Sequence, residues 1–273
     1  MKITIGHTPD ADDAFMFYGL FNNKIDNNNF TFDHIVENIE MLNKRAMQSE
    51  LDVTAISVNA YQYLSNYVIL RSGGSFGIEY GPIVISNKKI NSADLNKVTI
   101  AVPGVSTSAF LLLKLMIGEF KFREINFEKI PEFVSNNKVD AGLVIHEVQL
   151  SYEQDNLIKI VDVGEWWSKK TKLPVPLGIN VMKNKFDHNT IKKLDGCIKN
   201  SILYGLANFD EAVEYAMQYS RGKSIELIKK FIKMYVNNIT TDMDEIGKNS
   251  IMHLFDLANK KKIIRKNVVI NII

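Results

Sequence analysis

The sequence predicts an α/β protein of two lobes with a ligand cleft between them. Three observations lead there. Short β-branched runs alternate with helical patterns from Ile3 onward, as in parallel sheets built from strand–helix–strand units. Two Gly/Pro-led apolar strands resemble each other, Tyr80-Gly81-Pro82-Ile83-Val84-Ile85-Ser86 and Pro176-Leu177-Gly178-Ile179-Asn180-Val181-Met182. Each ends in an Asn-Lys turn, and a self-contained β-α-β-α-β pattern lies between them. Finally, Val139 to Glu147 is an apolar run closing on an ionisable pair, which reads as a buried central strand. The matched strands read as crossings between a larger lobe, 1–90 with 177–273, and a smaller inserted lobe, 91–176.

The elements follow in order. Ile3 and Ile5 make a first strand, and Ala14 to Leu20 a helix that Thr8 or Asp10 can cap, with Asp12 and Asp13 in its first turn. Phe30 to Ile35 is a strand; Glu37 to Ser49 is a helix with Ile39, Leu42 and Ala46 along one face. Leu51 to Ser57 is a strand, Asn59 to Tyr67 a helix, and Val68 to Ser72 a strand closed by Gly73-Gly74. The insert reads as strand Val98 to Val102, helix Ser106 to Phe120, strand Phe127 to Ile130, helix Pro131 to Asn137 and strand Gly142 to His146. Helical patterns fill most of the chain after Lys185, and the apolar tail from Lys266 to Ile273 reads as an edge strand.

Composition narrows the function. Of 273 residues, 46% are hydrophobic, and 33 basic against 31 acidic residues leave a net charge of +2. That balance gives no basis for nucleic acid or an anionic membrane as partner. The single cysteine, Cys197, excludes an internal disulfide and lies in a helical pattern as a small hydrophobe. A strand pattern at the start of the chain, with no charged leader and no apolar run near the ~20 residues of a membrane span, leads us to expect a cytoplasmic protein, monomeric or homodimeric.

His146 is the first candidate for chemistry. Ligands sit outside the carboxyl ends of strands in open α/β sheets, and imidazole titrates near neutrality as a general base must. Thr107 and Ser108 open a helix after Val102-Pro103-Gly104, where free N–H groups and hydroxyls suit a carboxylate; simple N-capping explains the same residues. Ser57 and Asn59, at the end of a strand, are candidate hydrogen-bonding groups for a polar ligand. Arg71-Ser72-Gly73-Gly74 reads as an anion nest or a surface turn. Asp10, Asp12 and Asp13 lack the spacing of a calcium loop, so no metal is expected. Trp166 and Trp167 read as packing residues walling the cleft.

The segments His7-Thr8-Pro9-Asp10-Ala11-Asp12-Asp13, Leu70-Arg71-Ser72-Gly73-Gly74, Ala101-Val102-Pro103-Gly104, Ala141 to Glu147, Val161-Asp162-Val163-Gly164-Glu165-Trp166-Trp167 and Leu173-Pro174-Val175-Pro176-Leu177-Gly178 share order and spacing with a known family. The chain resembles the 1,4-dihydroxy-6-naphthoate synthases of the futalosine route to menaquinone. The resemblance implies a fold like the type II periplasmic binding proteins and a lyase-like reaction on cyclic dehypoxanthinyl futalosine, a substrate carrying a carboxylate. It implies His146 as the base, hydroxyls of Ser57 and Thr107 in the pocket, Asp10 and Asp13 near the ligand, and neither metal nor organic cofactor. One departure stands out: many members carry Cys and Asn where this chain has Asp10 and Asp12. Two other readings fit the same pattern, a non-catalytic solute-binding protein of a transporter and the sister enzyme chorismate dehydratase.

Overall fold

A computed structural model describes residues 1–264 and 267–273. In chain order the elements are β1 (Lys2–His7), α1 (Ala11–Phe21), β2 (Thr31–Val36), α2 (Ile39–Met47), β3 (Val53–Ser57), β4 (Tyr67–Ile69), β5 (Ser75–Gly77) and β6 (Ile83–Ser86). Then come β7 (Thr99–Val102), α3 (Ser108–Ile117), β8 (Lys121–Glu124), α4 (Ile130–Ser135), β9 (Ala141–Val144), β10 (Ile158–Asp162), α5 (Val163–Thr171) and β11 (Val175–Lys183). The chain continues through α6 (His188–Ala207), α7 (Phe209–Ala216), α8 (Ile225–Tyr235), α9 (Asn238–Thr241) and α10 (Glu245–Lys260).

The chain divides into two compact units. The first holds residues 1–76, 178–248 and 268–273; the second holds 77–177 and 249–267. Residues 77–90 and 249–267, placed by sequence with the larger lobe, therefore lie in the second unit. The reason for 83–86 is its pairing: β6 sits between β10 and β9, a central position in the second sheet.

In the first unit the strand order is β2-β1-β3-β11-β4, with β5 against β11. β1 runs parallel to both β2 and β3, while β11 is antiparallel to β3 and β4. The period of two puts Ile3 and Ile5 into a core with Phe15 and Phe17 of α1 and Leu194, Ile198 and Ile202 of α6. Leu42 of α2 packs with Leu51 and Ala55 in a separate cluster. Gly6 permits this approach, because a Cβ there would meet Leu51 at 2.7 Å and Leu42 at 2.9 Å.

In the second unit the order is β10-β6-β9-β7-β8, with β7 parallel to β8 and β9. Ile83, Ile85 and Val144 share a core with Ile130 and Val134 of α4. β8 ends the sheet, and all four of its residues are exposed.

Several local expectations change. Residues expected as a helix from Asn59 form only a 3-10 turn, Val58–Tyr63. α3 stops at Ile117 because Gly118 takes φ +79. The strand expected at Phe127 to Ile130 is a 3-10 turn leading into α4, where Pro131 occupies the first turn; β8 supplies the strand instead. Lys266, where the tail strand was expected to begin, lies outside the described residues; farther on, Ile272 bridges Ile69 in parallel. No helix among the described residues is long and apolar enough to cross a membrane.

Candidate active site

Each sheet reverses its winding at one point. In the first, the chain steps from β1 to β2 on one side and returns to β3 on the other. In the second, it steps from β7 to β8 and returns to β9 on the other side. At such a point the loops leaving two adjacent parallel strands part, and the carboxyl ends open a crevice for a ligand. The expected site residues fall at these two places: Asp10, Asp13, Ser57 and Asn59 follow β1 and β3, while Thr107, Ser108 and His146 follow β7 and β9.

In the first unit, Asp10 occupies the N-cap position of α1, yet its side chain caps nothing. Its carboxylate instead accepts a hydrogen bond from Arg221 Nη2 at 2.8 Å, and the same nitrogen donates to Pro9 O at 2.7 Å. The expected capping by Thr8 also differs: the Thr8 N–H and hydroxyl both donate to Asp13 Oδ2, at 2.8 and 2.7 Å. Burial pushes the Asp13 carboxyl up to about 7, with the Thr8 hydrogen bonds opposing. His7, buried at the end of β1, stacks on Phe17, Phe21 and His34, and its Nε2 pairs with His34 Nε2. Burial, followed by the neighbouring His34, lowers His7 to about 3, so it stays uncharged.

Ser57 and Asn59 are also buried. Ser57 is held by Asn43 of α2: the Ser57 N–H donates to Asn43 Oδ1 at 2.8 Å, and Asn43 Nδ2 donates to Ser57 Oγ at 3.2 Å. Asn59 accepts from Gln62 Nε2 at 2.6 Å.

In the second unit, Thr107 is the N-cap of α3. Its hydroxyl accepts from the Phe110 N–H at 3.3 Å and donates to Gly104 O at 2.7 Å. Ser108 Oγ donates to Leu177 O at 2.6 Å. The hydroxyls are thus engaged by the chain, and the N-terminal turn of α3 contributes its dipole.

His146 lies two residues beyond β9 rather than within it. The ladder to β6 ends at Val144, opposite Ile83; Ile145 is still extended, and His146 turns the chain at φ +59 into a 3-10 turn. A left-handed backbone at a non-glycine residue is costly and recurs at functional sites. The ring meets Phe127 edge-on at 4.7 Å, which fixes its plane. Glu147 is buried in the same turn.

Other candidates resolve structurally. The Arg71 turn is satisfied from within: Arg71 pairs with Asp242 at 2.8 Å, the Ser72 N–H donates to Asp195 at 2.9 Å, and the Gly73 N–H to Thr240 O at 2.7 Å. Trp167 is fully buried, donating to Pro174 O at 2.9 Å, while Lys170 lies over Trp166. Among the described residues no three His, Cys, Asp or Glu side chains gather as a metal-binding group.

Sequence reading missed Asn43 and Arg221. Asn43 had one signal: it lies four residues after Ile39, a polar side chain on the buried face of α2. Arg221 had none, since its partner is 211 residues away.

Similarity to known proteins agrees with this arrangement. The chain is 33% identical to a 1,4-dihydroxy-6-naphthoate synthase of Thermus thermophilus, over 95% of this chain and 94% of that protein. It matches a crystal structure of a protein from Archaeoglobus fulgidus at 42% identity and a TM-score of 0.92, covering 96% of this chain and 98% of the other. The ligand-binding component of an ABC-type import system from Staphylococcus aureus shares the fold at a TM-score of 0.73, with 12% identity over 98% of this chain and 94% of that one. The match to the Menaquinone biosynthesis family spans residues 3–260, and the chain therefore belongs to that family.

Proposed function

We propose that this protein is a lyase that converts cyclic dehypoxanthinyl futalosine to 1,4-dihydroxy-6-naphthoate, with His146 as the base that starts loss of the sugar-derived fragment. The observation that carries the reading is His146 itself, held in a left-handed turn beyond β9 where the second sheet reverses. A neutral imidazole so placed removes a proton from the substrate, and aromatisation of the ring drives departure of the fragment. Thr107, Ser108 and the N-terminal turn of α3 serve the substrate carboxylate, through the helix dipole and backbone N–H groups. Ser57 and Asn59 supply polar contacts. Asp10 and Asp13 shape the loop after β1. The added carboxylate at Asp10 burdens an anionic substrate little, because Arg221 pairs with it and the Asp13 carboxyl titrates only near neutrality.

The fold is shared with binding proteins and does not decide between binding and turnover. Incubation of the purified protein with the cyclic futalosine derivative decides it: the naphthoate should accumulate over many turnovers. His146→Asn should lower kcat by about 10²–10⁴-fold, the usual contribution of a general base, with little change in substrate affinity. Near wild-type turnover in a folded His146→Asn variant overturns the role of His146; stoichiometric binding without product overturns the enzyme reading.

A further inference from the structure

We infer that Asn43 is a positioning residue that turns the Ser57 hydroxyl into a hydrogen-bond donor for the substrate, an inference resting on the proposed reaction. A backbone N–H only donates, so the Asn43 atom that takes the Ser57 N–H at 2.8 Å must be its carbonyl oxygen. The other atom, at 3.2 Å from Ser57 Oγ, is then the amide nitrogen, which has no lone pair to accept with. Ser57 Oγ is therefore the acceptor in this contact, and its own proton points elsewhere. Among the described residues no hydrogen bond runs from that hydroxyl to another protein group. Asn43 is fully buried on α2 and Ser57 is nearly so at the end of β3, so neither side chain can exchange this pairing for bulk water. The amide thus fixes the serine's position through the backbone and its polarity through the hydroxyl. What remains is a donor at the carboxyl end of β3, beside the switch point of the first sheet, suited to a hydroxyl, carbonyl or carboxylate oxygen of the substrate.

The assignment makes an isosteric replacement informative. In Asn43→Asp one carboxylate oxygen still accepts from the Ser57 N–H, and the fold is retained. The second oxygen now accepts from the Ser57 hydroxyl and turns the donor inward. A protonated carboxyl group reverses this, because its O–H donates to Ser57 Oγ as the amide did. Burial raises the carboxyl pKa, bringing that protonation into a measurable range.

The test measures kcat and KM across pH for wild type, Asn43→Asp, Ser57→Ala and the double variant, with folding checked by circular dichroism. At pH 8, Asn43→Asp should raise KM by about tenfold, the size of one lost hydrogen bond, with a smaller change in kcat. The ratio of its kcat/KM to that of wild type should climb towards one as pH falls. In the Ser57→Ala background Asn43→Asp should add little. A pH-independent ratio, or full additivity of the two substitutions, overturns the inference while leaving the reaction standing. Should Asn43→Asp fail to fold, Asn43→Ala replaces it in the additivity test with the same two outcomes. Absence of wild-type turnover overturns the functional reading and this inference with it.

Discussion

At the residue scale, Asp13 and Thr8 set a measurable balance. Two hydrogen bonds favour the Asp13 carboxylate, and burial opposes it; burial prevails, raising the group to about 7. A carboxyl group whose folded pKa lies above its unfolded value stabilises the fold fully below the unfolded pKa of ~3.9, and loses that contribution as pH rises through the folded value. Asn at this position still accepts both Thr8 hydrogen bonds through its carbonyl oxygen but carries no charge to desolvate. Asp13→Asn should therefore gain stability relative to wild type from pH 4 upward, by as much as ~1.4 kcal/mol per pH unit, and level off above neutrality. Urea unfolding at intervals between pH 4 and 8 measures the difference. A constant difference would show that Asp13 titrates alike in the folded and unfolded chain.

At the element scale, β9 combines a central place in its sheet with a close helix contact. A Cβ on Gly142 would meet Ile130 at 2.4 Å and Val134 at 2.9 Å, so α4 rests directly on the glycine. Gly142→Val should force α4 outward and cost about 1–3 kcal/mol, read as a lower unfolding midpoint in urea. An unchanged midpoint would mean that α4 shifts freely. This strand was also the most legible part of the sequence, because a buried central strand is apolar on both faces and its apolar run stops at His146, two residues past β9. β8 was not legible: Lys121, Phe122, Arg123 and Glu124 sit exposed at the sheet edge and carry no apolar run. The site divides in the same way. Residues at strand ends, such as Ser57 and His146, follow from their own segments. Asn43 and Arg221 act on partners 14 and 211 positions away; local pattern marks Asn43 only as a polar residue on the buried face of α2 and holds no trace of Arg221's contact.

At the scale of the whole molecule, stability against acid sums groups that pull in opposite directions. His7 is lowered to about 3 by burial and by His34, which is itself lowered by burial. Asp10, paired with Arg221, pulls His7 the other way, and Asp13 and Tyr219 lie on the neighbouring segments. A histidine depressed in the fold stabilises above its unfolded pKa of ~6.5, and that contribution is lost as pH falls towards the folded value. Between about pH 4 and 6.5 the Asp13 contribution grows on acidification and offsets the loss at His7. Below about pH 4 the Asp13 contribution is complete while the histidine loss continues, joined by that of carboxylates lowered by their partners, such as Asp52, Asp140 and Asp242. The unfolding free energy should therefore change little with pH in the upper window and fall steeply below it. His7→Asn should flatten the lower limb by up to ~1.4 kcal/mol per pH unit, whatever its effect on stability at neutrality. An unaltered slope in that variant would place the acid sensitivity elsewhere.

The left-handed backbone at His146 has an evolutionary consequence. That conformation costs a residue with a Cβ on the order of 1 kcal/mol, while Gly and Asn adopt it readily. The histidine therefore sits where the chain, judged by folding alone, would favour another residue. In a lineage released from its demand for the reaction, drift at position 146 should run towards Asn or Gly, gaining stability as turnover is lost. Among natural variants, those with a non-histidine residue at this position should be the more heat-resistant proteins and the poorer catalysts.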